Sequence, residues 1–536
     1  MKNFCLFLLC FLFQHLTAQE TFSRKDSLMG SLRSERTCYD VLHYDLNIKV
    51  EPDKKFISGY NEISFKTVAN TSKIQIDLFK NMKVDSIVWN KQKLIFSREF
   101  NAVFVEFPSI LKEGAQQKVR FYYSGNPIIA KRAPWDGGFV YRTDSNGKPF
   151  IGVAVQGTGA SLWYPVKDSQ TDEPDNGATI KIAVPTGLMD VSNGRFKGSE
   201  DLKNGFTRWD WEIVNPINTY NITLNIGDYV HFGENYKGLD LDYYVLRENE
   251  SKAKKQFEQV KPMMDCYQSK FGPYPFPEDG FKLIETSYLG MEHQSAVAYG
   301  NHYQNGYLGS SLSSDQIGMS FDYIIIHESG HEWFGNSITS KDIADMWIHE
   351  GFTCYTESVY VECLYGYQKG QDYINGLKRN IENDRPIIGN YGVGNEGSGD
   401  MYPKGALMLN TLRSIINDDT KWWKIILDYS NTFRHKIIDT ETVIAFFNKE
   451  SSLNLTPIFN QYLKHTAFPV LEIQYKEPYF EYRWKADEPG FNMPVDVRTH
   501  DKIRRLNPTT EWQTSTFSGK ELDVLTKKFL IEFKYL

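Results

Sequence analysis

Past Phe13, this chain of 536 residues has no long apolar run, no basic cluster, no repeat and no paired-cysteine motif. Each absence removes a class of function. Proteins that grip nucleic-acid phosphates need grouped Lys and Arg. Here 60 basic residues face 67 acidic ones, net −7, without any basic block, so nucleic acid is excluded as a partner. A membrane helix needs about 20 apolar residues, and nothing after the leader approaches that, so no integral span is expected in the mature chain. Two of the six cysteines, Cys5 and Cys10, fall in the leader, and Cys38, Cys266, Cys354 and Cys363 show no CxxC spacing. Neither a disulfide scaffold nor a cysteine–zinc site is indicated, and the four read as buried small residues. Cys354 and Cys363 would turn to opposite faces of one helix, too far round to bridge each other.

The leader itself reads "MKNFCLFLLCFLFQHLTAQE": one lysine, an apolar run from Phe4 to Phe13, then the small-residue site before Gln19. Residues 1–18 are a secretory signal by this pattern. Export to the periplasm or the extracellular space follows, with attachment at the surface left open. The remaining chain, 41% hydrophobic and 24% charged, is ordinary globular composition but too long for one core, so several domains are expected. From about Tyr39 to Asn235 short alternating segments such as "YDLNIKV", "ISGYNEISF" and "TRWDWEIV" sit between Gly, Asn and Pro turns. That pattern predicts an antiparallel β domain over residues 19–235. Residues 236–466 are mainly helical, with "KGALMLNTLRSII" and "TETVIAFFNKE" as examples, and residues 467–536 return to short strands.

One stretch of the helical region carries chemistry: "YIIIHESGHEWFGN". His327 and His331 stand four apart, so on a helix their rings lie on one face. Both could reach one zinc, with Glu328 beside it as a base for its water; the bland alternative is a pair of satisfied helix histidines. A catalytic zinc needs a third protein ligand. "DMWIHEGFTCYTE" offers Glu350, 19 residues after His331, while the third histidine of metzincins is absent. His349, turned about 100° from Glu350 on a helix, reads as a neighbour. Glu357 shares Glu350's helical face and either holds a ligand histidine or lies in solvent. Gly330 inside the motif helix costs roughly 1 kcal/mol relative to Ala, which points to a close backbone approach there.

"HESGHEWFGN" followed by "WIHEGF" resembles the gluzincin aminopeptidases, the family of aminopeptidase N and leukotriene hydrolase. "LGMEHQSAVAYGN" is similar to their Gly-x-Met-Glu-Asn motif, "MYPKGALML" to the segment of their catalytic tyrosine, and "VQGTGASLWYP" to the stretch whose glutamine lines the substrate pocket. The resemblance implies His327, His331 and Glu350 as ligands of one zinc, Glu328 as general base and Tyr402 as donor to the oxyanion. Glu292 would accept the substrate's free α-amine, Gln156 would wall the pocket, and Gly290 and Met291 would offer backbone groups to the peptide. It implies a multidomain α+β fold: an N-terminal antiparallel β domain, a thermolysin-like, mainly helical zinc catalytic domain and a small C-terminal β sandwich. The large helical C-terminal domain of many members is expected to be absent. Two positions depart from the pattern: His293 stands in place of asparagine, and Leu289 in place of a small residue. The expected activity is release of the N-terminal residue from peptides with a free α-amine. A thermolysin-type endopeptidase, a silent binding protein on the same scaffold and, more weakly, an epoxide hydrolase remain as alternatives.

Overall fold

A computed structural model describes residues 21–499, 502–517 and 522–536, so the proposed leader lies outside the described residues. The first strands form because apolar side chains alternate. In Tyr39–Glu51 the residues Tyr44, Leu46, Ile48 and Val50 are buried, with partly exposed residues between them. Strands Tyr39–Glu51, Phe56–Thr67, Gln116–Gly125 and Met82–Trp89 pair antiparallel inside an eight-stranded sheet. One pairing is parallel: Tyr39–Glu51 runs alongside Ala178–Pro185, because the chain makes a long excursion before returning to the sheet. During that excursion it builds Gly138–Thr143 and Pro149–Ala154, half of a four-stranded sheet.

The second region opens with a five-stranded sheet, ordered Tyr229–Tyr236, Leu239–Leu246, Phe281–Glu285, Val297–Tyr299 and Gly290–Met291. Its edge strand Gly290–Met291 lies directly on helix Tyr323–Gly330. A Cβ on Gly290 would stand 2.7 Å from Ile324 and 3.1 Å from Glu328 Oε1. Helices Val260–Phe271, Tyr323–Gly330, Trp347–Tyr365 and Pro403–Ile416 make the body of the region. Every residue from Ile324 to Gly330 is buried and only Tyr323 is partly exposed, so the helix Tyr323–Gly330 is a core element. Val470–Lys476 and Tyr479–Lys485 open the C-terminal β module, whose Leu471, Trp484 and Ile531 join the same hydrophobic core as these helices. Among the described residues no helix is long and apolar enough to cross a membrane.

The reading of the cysteines requires a correction. Cys266 and Cys363 form a disulfide between helices Val260–Phe271 and Trp347–Tyr365, with Cα atoms 6.0 Å apart and a separation of 97 positions in sequence. The bridge depends on how two helices pack, which spacing along the chain does not reveal. Cys38 and Cys354 are free and buried.

Candidate active site

The helix Tyr323–Gly330 starts where Asp322 accepts the backbone N–H of Ile324 at 3.1 Å. Asp322 is in turn held by Tyr299, Asn301 and Gln256, which fixes the helix to the sheet. After His331 the chain leaves the helix through a wide turn, Glu332–Asn336, in which Gly335 takes φ +130. A Cβ there would also press to 3.0 Å on His331 Nδ1, so glycine is needed twice over. The chain then crosses Ile338–Ser340 and enters helix Trp347–Tyr365, whose first turn carries Glu350. The two helices pack closely where Gly330 leaves room: a Cβ on it would meet Thr356 Oγ1 at 2.5 Å.

This packing brings together His327, His331 and Glu350, all buried, with one ligand atom of each within 4.8 Å of the others. The histidines' outer contacts set which nitrogen faces inward. His331 Nδ1 donates to the Phe334 carbonyl at 2.9 Å, and His327 Nδ1 lies 2.7 Å from Glu357 Oε1. Each Nε2 therefore carries its lone pair toward Glu350 Oε2, at 3.2 Å from His331 and 3.6 Å from His327. Glu350 Oε2 is buried without a hydrogen-bond partner. Two imidazole lone pairs and an unpaired carboxylate oxygen converging in one buried spot are a donor set that fits zinc. Electrostatics agree. Burial works against a charged His331 ring, but Glu350 and Glu292 outweigh it and lift its pKa to about 9. The surplus of carboxylate thus favours a cation at this place.

The other sequence-predicted residues lie around that centre. Glu328 lines the same chamber of about 120 Å³; burial pushes its carboxyl up to about 7, with Glu292 adding to the push and the histidines opposing it. Tyr402, at the start of helix Pro403–Ile416, stacks its ring 6.0 Å from that of His327. Burial, then Glu350 and Glu292, hold its phenol well above the usual range, so it keeps its proton at neutral pH. Glu292 is buried in the same chamber as His327, His331 and Glu350. Gln156 Nε2 donates to Glu292 Oε1 at 2.8 Å and to Glu350 Oε1 at 3.2 Å. Gly290 and Met291 form the edge strand along the chamber. Glu357 is wholly buried and also accepts from Tyr373 at 2.6 Å, so it is not a solvated helix residue.

His349 stays outside the ligand cluster: burial pushes its pKa to about 3, and its Nε2 accepts the Ser340 N–H at 2.7 Å. His293 is buried and stands outside the cluster too, with neither ring nitrogen hydrogen-bonded. Several participants carry no local signal and escaped the sequence reading. Tyr220 donates to Glu292 Oε1 at 3.1 Å, and Tyr323 stacks 5.0 Å from His327. Asn336 Nδ2 holds the Glu292 carbonyl at 2.7 Å; Tyr323 and Asn336 are the two ends of the stretch that carries His327 and His331, whereas Tyr220 lies far from it in sequence.

A two-histidine, one-carboxylate centre between such helices, under a β domain, defines the class of a zinc metallopeptidase. Residues 255–462 match the Peptidase family M1 domain and residues 41–221 the Peptidase M1 N-terminal domain, and the chain belongs to peptidase family M1. It is 26% identical over 280 residues to endoplasmic reticulum aminopeptidase 1 of Mus musculus, covering 49% of this chain and 30% of that protein. Against aminopeptidase N of Lactobacillus helveticus it is 24% identical over 470 residues, 80% of this chain and 51% of the relative. The chain thus spans about half or less of the length of these curated relatives. Its fold is similar to an M1 zinc metallopeptidase of Deinococcus radiodurans, solved as a variant bound to a Tyr-Ser-Ala substrate. That match has TM-score 0.68 and 19% identity, and covers 80% of this chain and 95% of the other.

Proposed function

We propose that the protein is an exported zinc aminopeptidase that removes the first residue from peptides with a free α-amine. The observation that carries this reading is Glu292: a buried carboxylate beside the ligand set, held by Gln156 and Tyr220. A peptide's terminal amine, with an unperturbed pKa of about 7.7–8.0, is mostly protonated near neutral pH and would pair with that carboxylate. The pairing places the first peptide bond over His327, His331 and Glu350. When bound there, zinc would polarise the scissile carbonyl and acidify a water molecule. Glu328 takes the proton from that water and passes it to the leaving amine, a role suited to a carboxyl tuned to about 7. Tyr402 donates its O–H to the negative charge developing on the carbonyl oxygen. Gly290 and Met291, on a sheet edge, align the extended peptide through backbone hydrogen bonds.

Gln156 and Tyr220, both on Glu292, also line a second cavity of about 290 Å³, walled by Val155, Ile343 and Met346 among others. Export is supported by the Cys266–Cys363 disulfide, a bond that persists in oxidising compartments.

The deciding experiment compares peptides with free and acetylated N-termini. Single residues should leave free peptides in turn, and acetylated ones should resist. Glu292→Ala should reduce kcat/KM on free-amine substrates by about 2–4 kcal/mol in transition-state terms. Rapid internal cleavage of an acetylated peptide by the wild type would refute the exopeptidase reading.

A further inference from the structure

The reaction chamber has a closed end and an open one. Glu292, Glu328, His331 and Glu350 are buried, whereas Trp135 on the same wall is 67% exposed. Six other tryptophans are fully buried, as so large an apolar ring ordinarily is when packing alone decides. Trp135 is also not on a loose end. The Asp136 carboxylate accepts the backbone N–H of Lys131 at 2.7 Å and of Arg132 at 2.6 Å. Gly137 N–H donates to Thr158 Oγ1 at 3.0 Å, and Ile128 and Ala130 are hydrogen-bonded to Phe139 at the base of the loop. A rigid loop thus presents an indole to solvent at the mouth of the chamber.

We infer that Trp135 is a specificity-determining residue whose ring packs on the part of a peptide that follows the cleaved bond. The inference rests on the aminopeptidase reading. With the terminal ammonium at Glu292 and the first bond over the ligand cluster, the remaining peptide leaves through the open end, past Trp135. An indole with two χ angles loses little entropy on contact and offers a large apolar face. The favoured substrates are therefore peptides with an aromatic or branched apolar residue just after the scissile bond, over those with glycine there.

The test uses the zinc-loaded protein and three substrates sharing one first residue, leucine: leucine amide, Leu-Phe-Ala and Leu-Gly-Gly. In the wild type, kcat/KM should favour Leu-Phe-Ala over Leu-Gly-Gly. Trp135→Ala should lower the ratio of Leu-Phe-Ala to leucine amide by about 10-fold, chiefly through KM, and Trp135→Phe should restore most of it. Equal losses on all three substrates would mark a merely structural residue and overturn the inference. Unchanged ratios would overturn it too. A second readout is independent of turnover: Leu-Phe-Ala added to Glu328→Gln protein should shift tryptophan fluorescence, and the shift should vanish when Trp135→Ala is added. Its persistence without Trp135 would refute the contact. Failure of the wild type to cleave leucine amide, with that shift intact, would sink the aminopeptidase reading alone.

Discussion

Replacing Glu357 tests how the proposed metal site is built, because this residue touches His327, one of the proposed ligands, and does not line the chamber. Its carboxylate spans two buried partners, His327 Nδ1 at 2.7 Å and the Tyr373 hydroxyl at 2.6 Å, and is itself wholly buried. The contact with His327 fixes the ring's tautomer and angle and makes Nε2 a stronger donor. Losing such a partner typically weakens metal binding by about 10 to 100-fold, or about 1.4–2.8 kcal/mol. Glu357→Gln keeps the shape and an acceptor oxygen for Nδ1–H but removes the charge, so the loss should fall near the low end, about 10-fold. Glu357→Ala removes both contacts, should approach about 100-fold, and leaves the Tyr373 hydroxyl unpaired in the core. That orphan alone should cost about 1–3 kcal/mol of folding stability. Zinc titration against a chromophoric chelator measures the first effect, and thermal unfolding of the metal-free proteins measures the second. A Gln variant binding zinc within twofold of wild type would refute the reasoning.

For Tyr402→Phe, kcat should fall about 100 to 1,000-fold with KM little altered, because the role proposed for the hydroxyl is to meet charge that develops only in the transition state; steady-state kinetics with a defect confined to KM would contradict this. A pH effect is expected at Glu173, which accepts from Thr339 at 2.7 Å and whose pKa burial raises to about 7 from 4.5. The folded state then binds a proton that the unfolded chain has released. Stability from this group is full below pH 4.5 and is lost as pH rises through 7, at most about 3 kcal/mol. Thermal unfolding of Glu173→Gln across pH 4 to 8 should show a shallower decline than wild type, and parallel curves would exclude Glu173 as the source.

Short-range periodicity made much of this protein legible in its sequence. Four-residue spacing puts His327 and His331 on one helical face, and seven-residue spacing puts Glu357 below Glu350, wherever the helices lie. The alternation in Tyr39–Glu51 likewise marks a half-buried strand without reference to its neighbours. Only the tertiary structure decided which partners those faces meet. Glu357 could have faced solvent; the room left at Gly330 lets its helix close on the motif helix and deliver it to His327. Gln156 reaches Glu292 across 136 residues of chain and Tyr220 across 72, with no spacing rule to announce either contact. The Cys266–Cys363 bond, between positions 97 apart, leaves no mark in the cysteine spacing for the same reason. Local patterns record which way a side chain points from its own helix or strand. What it meets there depends on how separate elements pack, and that is settled by burial and shape over the whole molecule.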